Sequence, residues 1–249
     1  MRLCKILLAI NLLLLAACGP AGQSWQRIEQ SGLLRVGLDP TYPPFEFHDG
    51  QTVQGLDVDL AKALAADLGL TVQFVSFGYD GLYAALETGQ VDVLISALVI
   101  QEDKMADFGY SEPYFNAGQL LVVPAGSPIT RIEDLSGRSL AVELGAEGHV
   151  LATRYTRRLP NLTVQTYPTA NDALGSVVSG RDSAAIVDAI SARMYPAGIT
   201  ILPDPLTVEP FALVVRIDDH ELLQHLNNSL ARLAQSGQLT TLTENWLQP

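Results

Sequence analysis

The chain has 249 residues, of which 27 are acidic and 15 are basic, so its formal net charge is −12. An acidic surface repels the phosphate backbone, and we therefore expect no nucleic-acid partner. Hydrophobic residues make up 48% of the sequence, enough to bury either one large core or the cores of two lobes.

Residues 1–17 have the features of a secretory signal peptide. Two basic residues precede an apolar run over residues 6–15, which is short for a bilayer span because about 20 apolar residues are needed. The junction at residues 15–19 resembles the bacterial lipobox, which implies cleavage before Cys18 and a lipid on its sulfur. Residues 18–26 would then be a flexible tether. The alternative is an ordinary secreted protein with a chance cysteine at this place.

The first half of the chain alternates predicted strands with predicted helices. A strand over residues 33–38 precedes a helix over residues 55–68, whose leucines recur every fourth residue and which stops at Gly69. Further predicted elements are a strand at residues 71–74, a short helix ending at residue 87 and a buried strand at residues 91–96. Helices of this length between strands favour βαβ units and a parallel sheet.

A proline-rich turn after the first strand carries groups suited to a small charged ligand. Pro40, Pro43 and Pro44 fix their own φ angles and hold the preceding residues extended, which keeps this turn out of a helix. The sequence therefore presents Asp39 and Tyr42 on a stiff loop, as a carboxylate and an aromatic ring.

A second series of similar size follows, and Ala117 and Gly118 leave room for a hinge before it. Its predicted strands are residues 119–123, 140–142, 162–165, 184–187, 199–202 and 211–215. Its predicted helical segments are residues 132–135, 147–158, 170–178, 220–235 and 240–247.

Two series of this kind predict two lobes. We assign residues 27–116 and 212–249 to the first lobe and residues 117–211 to the second, with hinge strands at its ends. The connecting segments are predicted at residues 116–120 and 208–212, so the chain crosses between the lobes twice.

The sequence contains no pattern for a metal site or for cofactor chemistry. His220 and His225 are about 140° apart on a helix, so they share no face, and we interpret both as solvated positions. No Walker loop, dinucleotide fingerprint or nucleophile elbow is present. We therefore expect no metal, no cofactor and no enzymatic activity.

Several modest motifs occur in the order typical of one family. They are LRVG at 34–37, Asp39, YPPFEF at 42–47, GLDVDLA at 55–61, YDGL at 79–82, VDVLI at 91–95, SEPY at 111–114, LSG at 135–137, AV at 141–142, GRD at 180–182, VD at 187–188 and Trp246. Together they resemble the bacterial extracellular solute-binding proteins, family 3, which deliver polar amino acids to ABC transporters. The resemblance implies an α/β, type II periplasmic-binding fold, with two lobes, each a mixed, mostly parallel sheet flanked by helices, closing on a ligand between them.

The resemblance also implies roles for individual residues. Asp39 matches a carboxylate that contacts the ligand's side chain, and Tyr42 and Tyr79 match aromatic residues that sandwich its aliphatic stem. A cation between such rings gains about 0.5 to 2 kcal/mol. Each tyrosine could instead be a core or rim residue. Asp188 matches the residue that binds an α-amino group, although it could also cap a following helix.

Other positions depart from the family pattern. Ala97, Val99 and Lys104 occupy the loop that binds the ligand's carboxylate, where relatives have a small residue, a hydroxyl residue and an arginine. Lys104 keeps a charge but lacks arginine's two-pronged contact, unless it is simply a solvated residue. Glu143 lies in the turn that cradles the carboxylate in relatives, where it either faces the cleft or caps the next helix. We therefore expect a weaker or differently posed carboxylate site, or a ligand with no α-carboxylate at all. The acidic residues favour a zwitterionic or cationic ligand rather than an anionic one.

These features predict an extracytoplasmic, lipid-anchored substrate-binding protein. Its partners would be a small amino-acid-like ligand, an ABC permease and the membrane, and we expect a monomer. A periplasmic dehydratase acting on cyclohexadienyl acids and a sensory module for a separate signalling partner are the alternatives. Asp57 and Asp59 are interpreted as structural, because they follow Gly55 at the predicted start of a helix.

Overall fold

The computed structural model describes residues 24–248. Its first half contains, in chain order, α1 (Ser24–Ser31), β1 (Leu33–Leu38), β2 (Thr41–Tyr42), β3 (Glu46–His48), β4 (Val53–Gln54), α2 (Leu56–Asp67), β5 (Thr71–Ser76), α3 (Leu82–Glu87), β6 (Val93–Leu94), β7 (Phe108–Tyr110) and β8 (Phe115–Asn116). Its second half contains β9 (Gln119–Pro124), β10 (Ser139–Glu143), α4 (Glu147–Thr156), β11 (Thr163–Tyr167), α5 (Ala170–Val178), β12 (Ala184–Asp188), α6 (Ala189–Arg193), β13 (Ile199–Ile201), β14 (Pro210–Phe211), β15 (Val214–Arg216), α7 (His220–Gln235) and α8 (Gln238–Trp246). Short 3-10 turns lie at Tyr79–Gly81, Glu102–Lys104 and Ile132–Leu135.

The first five-stranded sheet has the order β5-β1-β6-β15-β7. Strand β1 pairs in parallel with β5 and β6, whereas β15 runs antiparallel to β6 and β7. Leu34, Val36 and Leu38 of β1 are fully buried, since helices cover the sheet on which they lie. Helix α2 packs its leucines into this core and ends before Gly69, whose φ of +72° suits glycine.

The second five-stranded sheet has the order β11-β10-β12-β9-β13. Strand β10 pairs in parallel with β11 and β12, and β9 is antiparallel to β12 and β13. Both sheets are therefore mixed, with a parallel central part. The mixed α/β architecture expected from the sequence is confirmed.

A two-stranded ribbon joins the sheets. Phe115 and Asn116 of β8 pair with Phe211 and Pro210 of β14. The predicted strand at residues 211–215 is thus two strands, because residue 211 pairs in this ribbon while β15 belongs to the first sheet. Next to the ribbon, a Cβ atom on Gly118 would collide with the carbonyl oxygen of Thr207, so glycine is needed here for close packing rather than for freedom.

Helix α1 corrects the predicted tether. Ser24 to Gln26 are helical, and the side chain of Trp25 is 8% exposed because its ring stacks on His225, with centroids 3.7 Å apart. His225 is therefore packed rather than solvated. The predicted signal peptide, Cys18 and the rest of the tether lie outside the described residues.

Other boundaries differ by a few residues. The strand predicted at residues 91–96 pairs only over β6, and the helix predicted to end at residue 158 ends at Thr156. Within residues 24–248, no helix is both long and apolar enough to cross a bilayer. The same residues contain no cluster of potential metal ligands.

Candidate functional site

A cavity of about 480 Å³ lies between the two sheets. Six of the eight residues proposed from the sequence as ligand contacts line it, namely Asp39, Tyr42, Tyr79, Ala97, Val99 and Asp188. A volume in this range accommodates a small organic molecule.

Residues that follow three adjacent strands of the first sheet line one side of the cavity, which we call the first wall. Asp39 follows β1, Tyr79 follows β5, and Ser96 follows β6. The backbone N–H of Asp39 donates a hydrogen bond of 2.9 Å to Ser96 Oγ, which fixes two neighbouring strand ends together. The carboxyl ends of parallel strands are a common place for ligands in α/β proteins, because the loops there converge.

Two partly exposed tyrosines form aromatic surfaces of the cavity. Tyr42 is 45% exposed and Tyr79 is 52% exposed. The ring of Tyr42 stacks on Phe45, with centroids 5.7 Å apart and planes 12° apart, so its orientation is fixed from behind. Burial and the nearby carboxylates of Asp188, Glu46 and Glu209 raise the pKa of Tyr42. Carboxyl groups from both sides of the cleft therefore converge near this phenol.

Asp188 occupies the end of β12 on the second wall and has the structural role that its sequence position allowed. Its Oδ1 accepts hydrogen bonds from the N–H groups of Ile190 (3.0 Å) and Ser191 (2.8 Å), so it caps α6. Its Oδ2 accepts a bond of 2.7 Å from Ser191 Oγ. The same carboxylate lines the cavity, and its fixed position suits it to hold a cationic group.

Lys104 and Glu143 are not among the cavity-lining residues. The ammonium group of Lys104 lies 4.8 Å from the ring centroid of Tyr83, which attracts it. Glu143 is half-buried at the end of β10. The charged end of the expected carboxylate loop is thus absent from this wall, which Ala97 and Val99 line instead.

A buried pair of carboxyl groups lies beneath the first wall. Glu46 is 1% exposed and Asp57 is fully buried. Asp57 accepts hydrogen bonds from the N–H of Ala97 (2.6 Å) and the hydroxyl of Tyr114 (2.8 Å). Asp57 is structural, as expected, but its carboxylate supports the cavity loop at Ala97. It does not cap α2, because no side chain makes a capping hydrogen bond at the start of that helix.

Burial raises the pKa of both carboxyl groups in this pair. Burial, together with the charge of Asp57, raises the pKa of Glu46 to about 11, whereas a hydrogen bond from Ser96 opposes the rise. Oε1 of Glu46 accepts that bond at 2.8 Å, and Oε2 accepts none. A protonated Oε2 instead donates to Asp57, whose own pKa burial raises to about 6. Glu46 therefore presents a neutral carboxyl group to the cavity.

Glu209 is a second cavity residue that sequence reasoning missed. It lies beside the ribbon, where its N–H donates a bond of 2.7 Å to Asn116 Oδ1. Burial, then the adjacent Glu147 and the charge of Asp188, raise the pKa of Glu209. Its buried Oε1 has no hydrogen-bond partner within the described part of the chain. Nothing in the sequence around residue 209 signals a cavity residue, because its position depends on the ribbon pairing.

A cleft between two mixed sheets, lined from both and bridged by a short ribbon, defines a two-lobed ligand-binding protein of the type II periplasmic-binding class. A sequence model of the bacterial extracellular solute-binding proteins, family 3, matches residues 34–249. The chain belongs to this family.

Two named relatives are similar to this chain over most of its length. The arginine-binding extracellular protein ArtP of Bacillus subtilis (strain 168) is 27% identical over 241 residues, covering 93% of this chain and 92% of that protein. A probable histidine-binding protein of Neisseria gonorrhoeae is 29% identical over 245 residues, covering 93% and 90%. Both relatives are named as binding proteins.

Solved structures share the fold. An ancestral cationic amino acid solute-binding protein, AncCDT-1, is 35% identical with a TM-score of 0.65, over 90% of this chain and 99% of that one. An ancestral cyclohexadienyl dehydratase is 25% identical with a TM-score of 0.77, over 92% and 98%. The fold therefore occurs in both binding proteins and an enzyme.

Proposed function

We propose that this protein is the extracytoplasmic substrate-binding component of an ABC importer. Its ligand would be a polar amino acid, zwitterionic or cationic, or a related small amine. One observation carries the proposal: Asp39 and Tyr79 on one wall and Asp188 on the other line a single cleft. A ligand that contacts all three must hold the two lobes together.

The proposed mechanism is capture followed by closure. The ligand first meets Asp39, Tyr42 and Tyr79 on the first lobe, and rotation about the ribbon then brings Asp188 onto it. The closed form presents the surface that a permease recognises. A Kd near 1 μM corresponds to about −8 kcal/mol, which a few charge-assisted bonds and two aromatic contacts supply after ordering costs.

We further propose the bounds of the two lobes and a lipid anchor at the N-terminus. The lobes comprise residues 27–116 with 212–249, and residues 117–211. A lipid on Cys18 would hold the protein at the envelope, and acyl labelling that persists in Cys18→Ala would contradict this. We propose that the protein acts as a monomer.

Calorimetry across the natural amino acids and common small amines tests the binding function. Asp39→Ala and Asp188→Ala should each weaken binding at least tenfold, because each removes a charge partner of the ligand. Asp218→Ala, which removes an exposed carboxylate outside the cavity, should leave affinity unchanged. Tight binding that survives both cavity substitutions would refute the assigned site.

A dehydratase is a second candidate because Glu46 places a protonated carboxyl group at the cavity, and elimination requires a proton donor. Its cyclohexadienyl substrates are acids, however, and the cavity carries several carboxyl groups. Incubation with those substrates and detection of phenylpyruvate or phenylalanine tests the reaction. A sensory role would instead show as ligand-dependent binding to a signalling partner.

A further inference from the structure

The charge of the cavity lining is one-sided. Four carboxyl groups line it, from Asp39, Glu46, Asp188 and Glu209, and no lysine, arginine or histidine among residues 24–248 does. The buried Oε1 of Glu209 has no hydrogen-bond partner in that part of the chain. A carboxylate on a ligand would enter this cavity without a cation to meet it.

Two candidates for such a cation, Lys104 and Arg193, are engaged elsewhere. Lys104 lies against the ring of Tyr83. Arg193 lies over Phe115, 5.9 Å from its ring centroid, and lines a separate depression shared with Glu244. Neither residue lines the cavity between the lobes.

Backbone N–H groups could also hold a carboxylate, but several of those near the cavity are already used. Asp57 accepts from the N–H of Ala97, and Asp188 accepts from the N–H groups of Ile190 and Ser191 in α6. In the turn before α4, the N–H groups bond internally, from Leu144 to the carbonyl of Tyr167, from Gly145 to Nδ1 of His149, and from Ala146 to the carbonyl of Glu143. Glu147 adds a negative charge to the first turn of α4.

The carboxyl groups lie on two sides of the cleft. Asp39 and Glu46 belong to the first lobe, whereas Asp188 ends β12 of the second sheet and Glu209 lies at the ribbon. Apolar and aromatic side chains line the cavity with them, including Tyr79, which suits an aliphatic stem. The arrangement matches a molecule with a cationic group at each end.

We propose that the ligand of this cavity is an organic cation without a carboxylate, with the chemistry of an α,ω-diamine or an amino-guanidine. This inference rests on the proposed binding function and narrows its substrate class. The amino acids that share such stems differ from these ligands only by one carboxylate, so matched pairs isolate the group in question.

Isothermal titration calorimetry of the full chain, purified in a mild detergent and freed of bound ligand, compares three pairs: arginine with agmatine, lysine with cadaverine, and histidine with histamine. We expect at least one amine to bind at least tenfold more tightly than its amino acid. Arginine methyl ester, in which the carboxylate is neutralised, should regain most of the affinity that arginine lacks relative to agmatine.

Glu209→Gln should weaken agmatine more than arginine and so reduce the ratio of their affinities, whereas the exposed control Glu87→Gln should leave that ratio unchanged. A merely structural role of Glu209 would weaken both ligands equally and would contradict the proposal. Amino acids that bind as tightly as their amines would overturn the inference and leave the binding function intact. Absence of binding by all of these compounds, together with the remaining natural amino acids, would overturn both.

Discussion

Replacement of Glu46 by glutamine tests whether the carboxyl pair under the cavity holds a proton. An amide retains the shape of a protonated carboxyl group: its oxygen can accept from Ser96 and its NH₂ can donate to Asp57. The fold should therefore tolerate Glu46→Gln, while the linkage between stability and pH at this position disappears.

The magnitude follows from proton counting. Glu46 has an ordinary pKa of 4.5, and burial raises it to about 11 in the folded protein. Between these values the folded state holds one proton that the unfolded chain has lost, so the unfolding free energy falls by about 1.4 kcal/mol per pH unit as the pH rises. Between pH 7 and pH 9, the wild-type protein should lose about 2.7 kcal/mol relative to Glu46→Gln.

Reversible urea unfolding of the ligand-free protein at pH 7, 8 and 9 measures this difference. Ligand must be absent because a bound cation would favour ionised Glu46. Glu87→Gln, at an exposed position, serves as the control and should follow the wild-type profile. Parallel profiles for the wild type and Glu46→Gln would show that Glu46 is ionised in the folded state, and the argument for a shared proton would fail.

Three further substitutions separate binding from stability. Tyr79→Ala should weaken ligand binding two- to tenfold in calorimetry, with unfolding free energy changed by less than about 0.5 kcal/mol, because the ring is exposed in the cleft. Asp188→Ala should weaken binding and also cost about 1 kcal/mol of stability by uncapping α6; a variant with unchanged urea midpoint would contradict the cap. Asp92 is fully buried between Arg35 and Arg27; burial opposes its ionisation, but the arginine bonds outweigh it and hold the pKa below 3.8. The ion pairs of ionised Asp92 therefore stabilise the fold above pH 3.8, and this stabilisation is lost on acidification. Asp92→Asn should lower the unfolding free energy measured in urea by about 3 kcal/mol at pH 7 and by progressively less below pH 4.

The sequence predicted the sheets well because their strands carry continuous local signals. The strand at residues 33–38 and the helix ending before Gly69 depend on apolar spacing and a glycine stop, which neighbouring residues alone specify. The split between β14 and β15 was not predictable, because pairing partners far along the chain decide it.

The residues of the site also differ in whether local sequence or the tertiary fold determines their position. Asp39 and Tyr42 stand in a recognisable turn, so the sequence identified them, and both line the cavity. Glu46 stands in that turn too, but its burial and its pairing with Asp57 depend on the tertiary fold. Lys104 shows the converse: its sequence position suggested a ligand contact, whereas a nearby aromatic ring, invisible to local pattern, holds it elsewhere.

The pairing of β8 with β14 brings the two ends of the segment between these strands close together. The segment between the two ribbon strands starts after Asn116 and ends before Pro210. These two residues are paired neighbours, so the ends of the segment lie about 5 Å apart. Residues 117–209 could therefore be exchanged as one gene segment for the corresponding piece of a relative without moving either junction. Such chimeras would assign ligand choice to one half of the cleft or the other, since Asp39 and Tyr79 would stay while Asp188 and Glu209 would be replaced together.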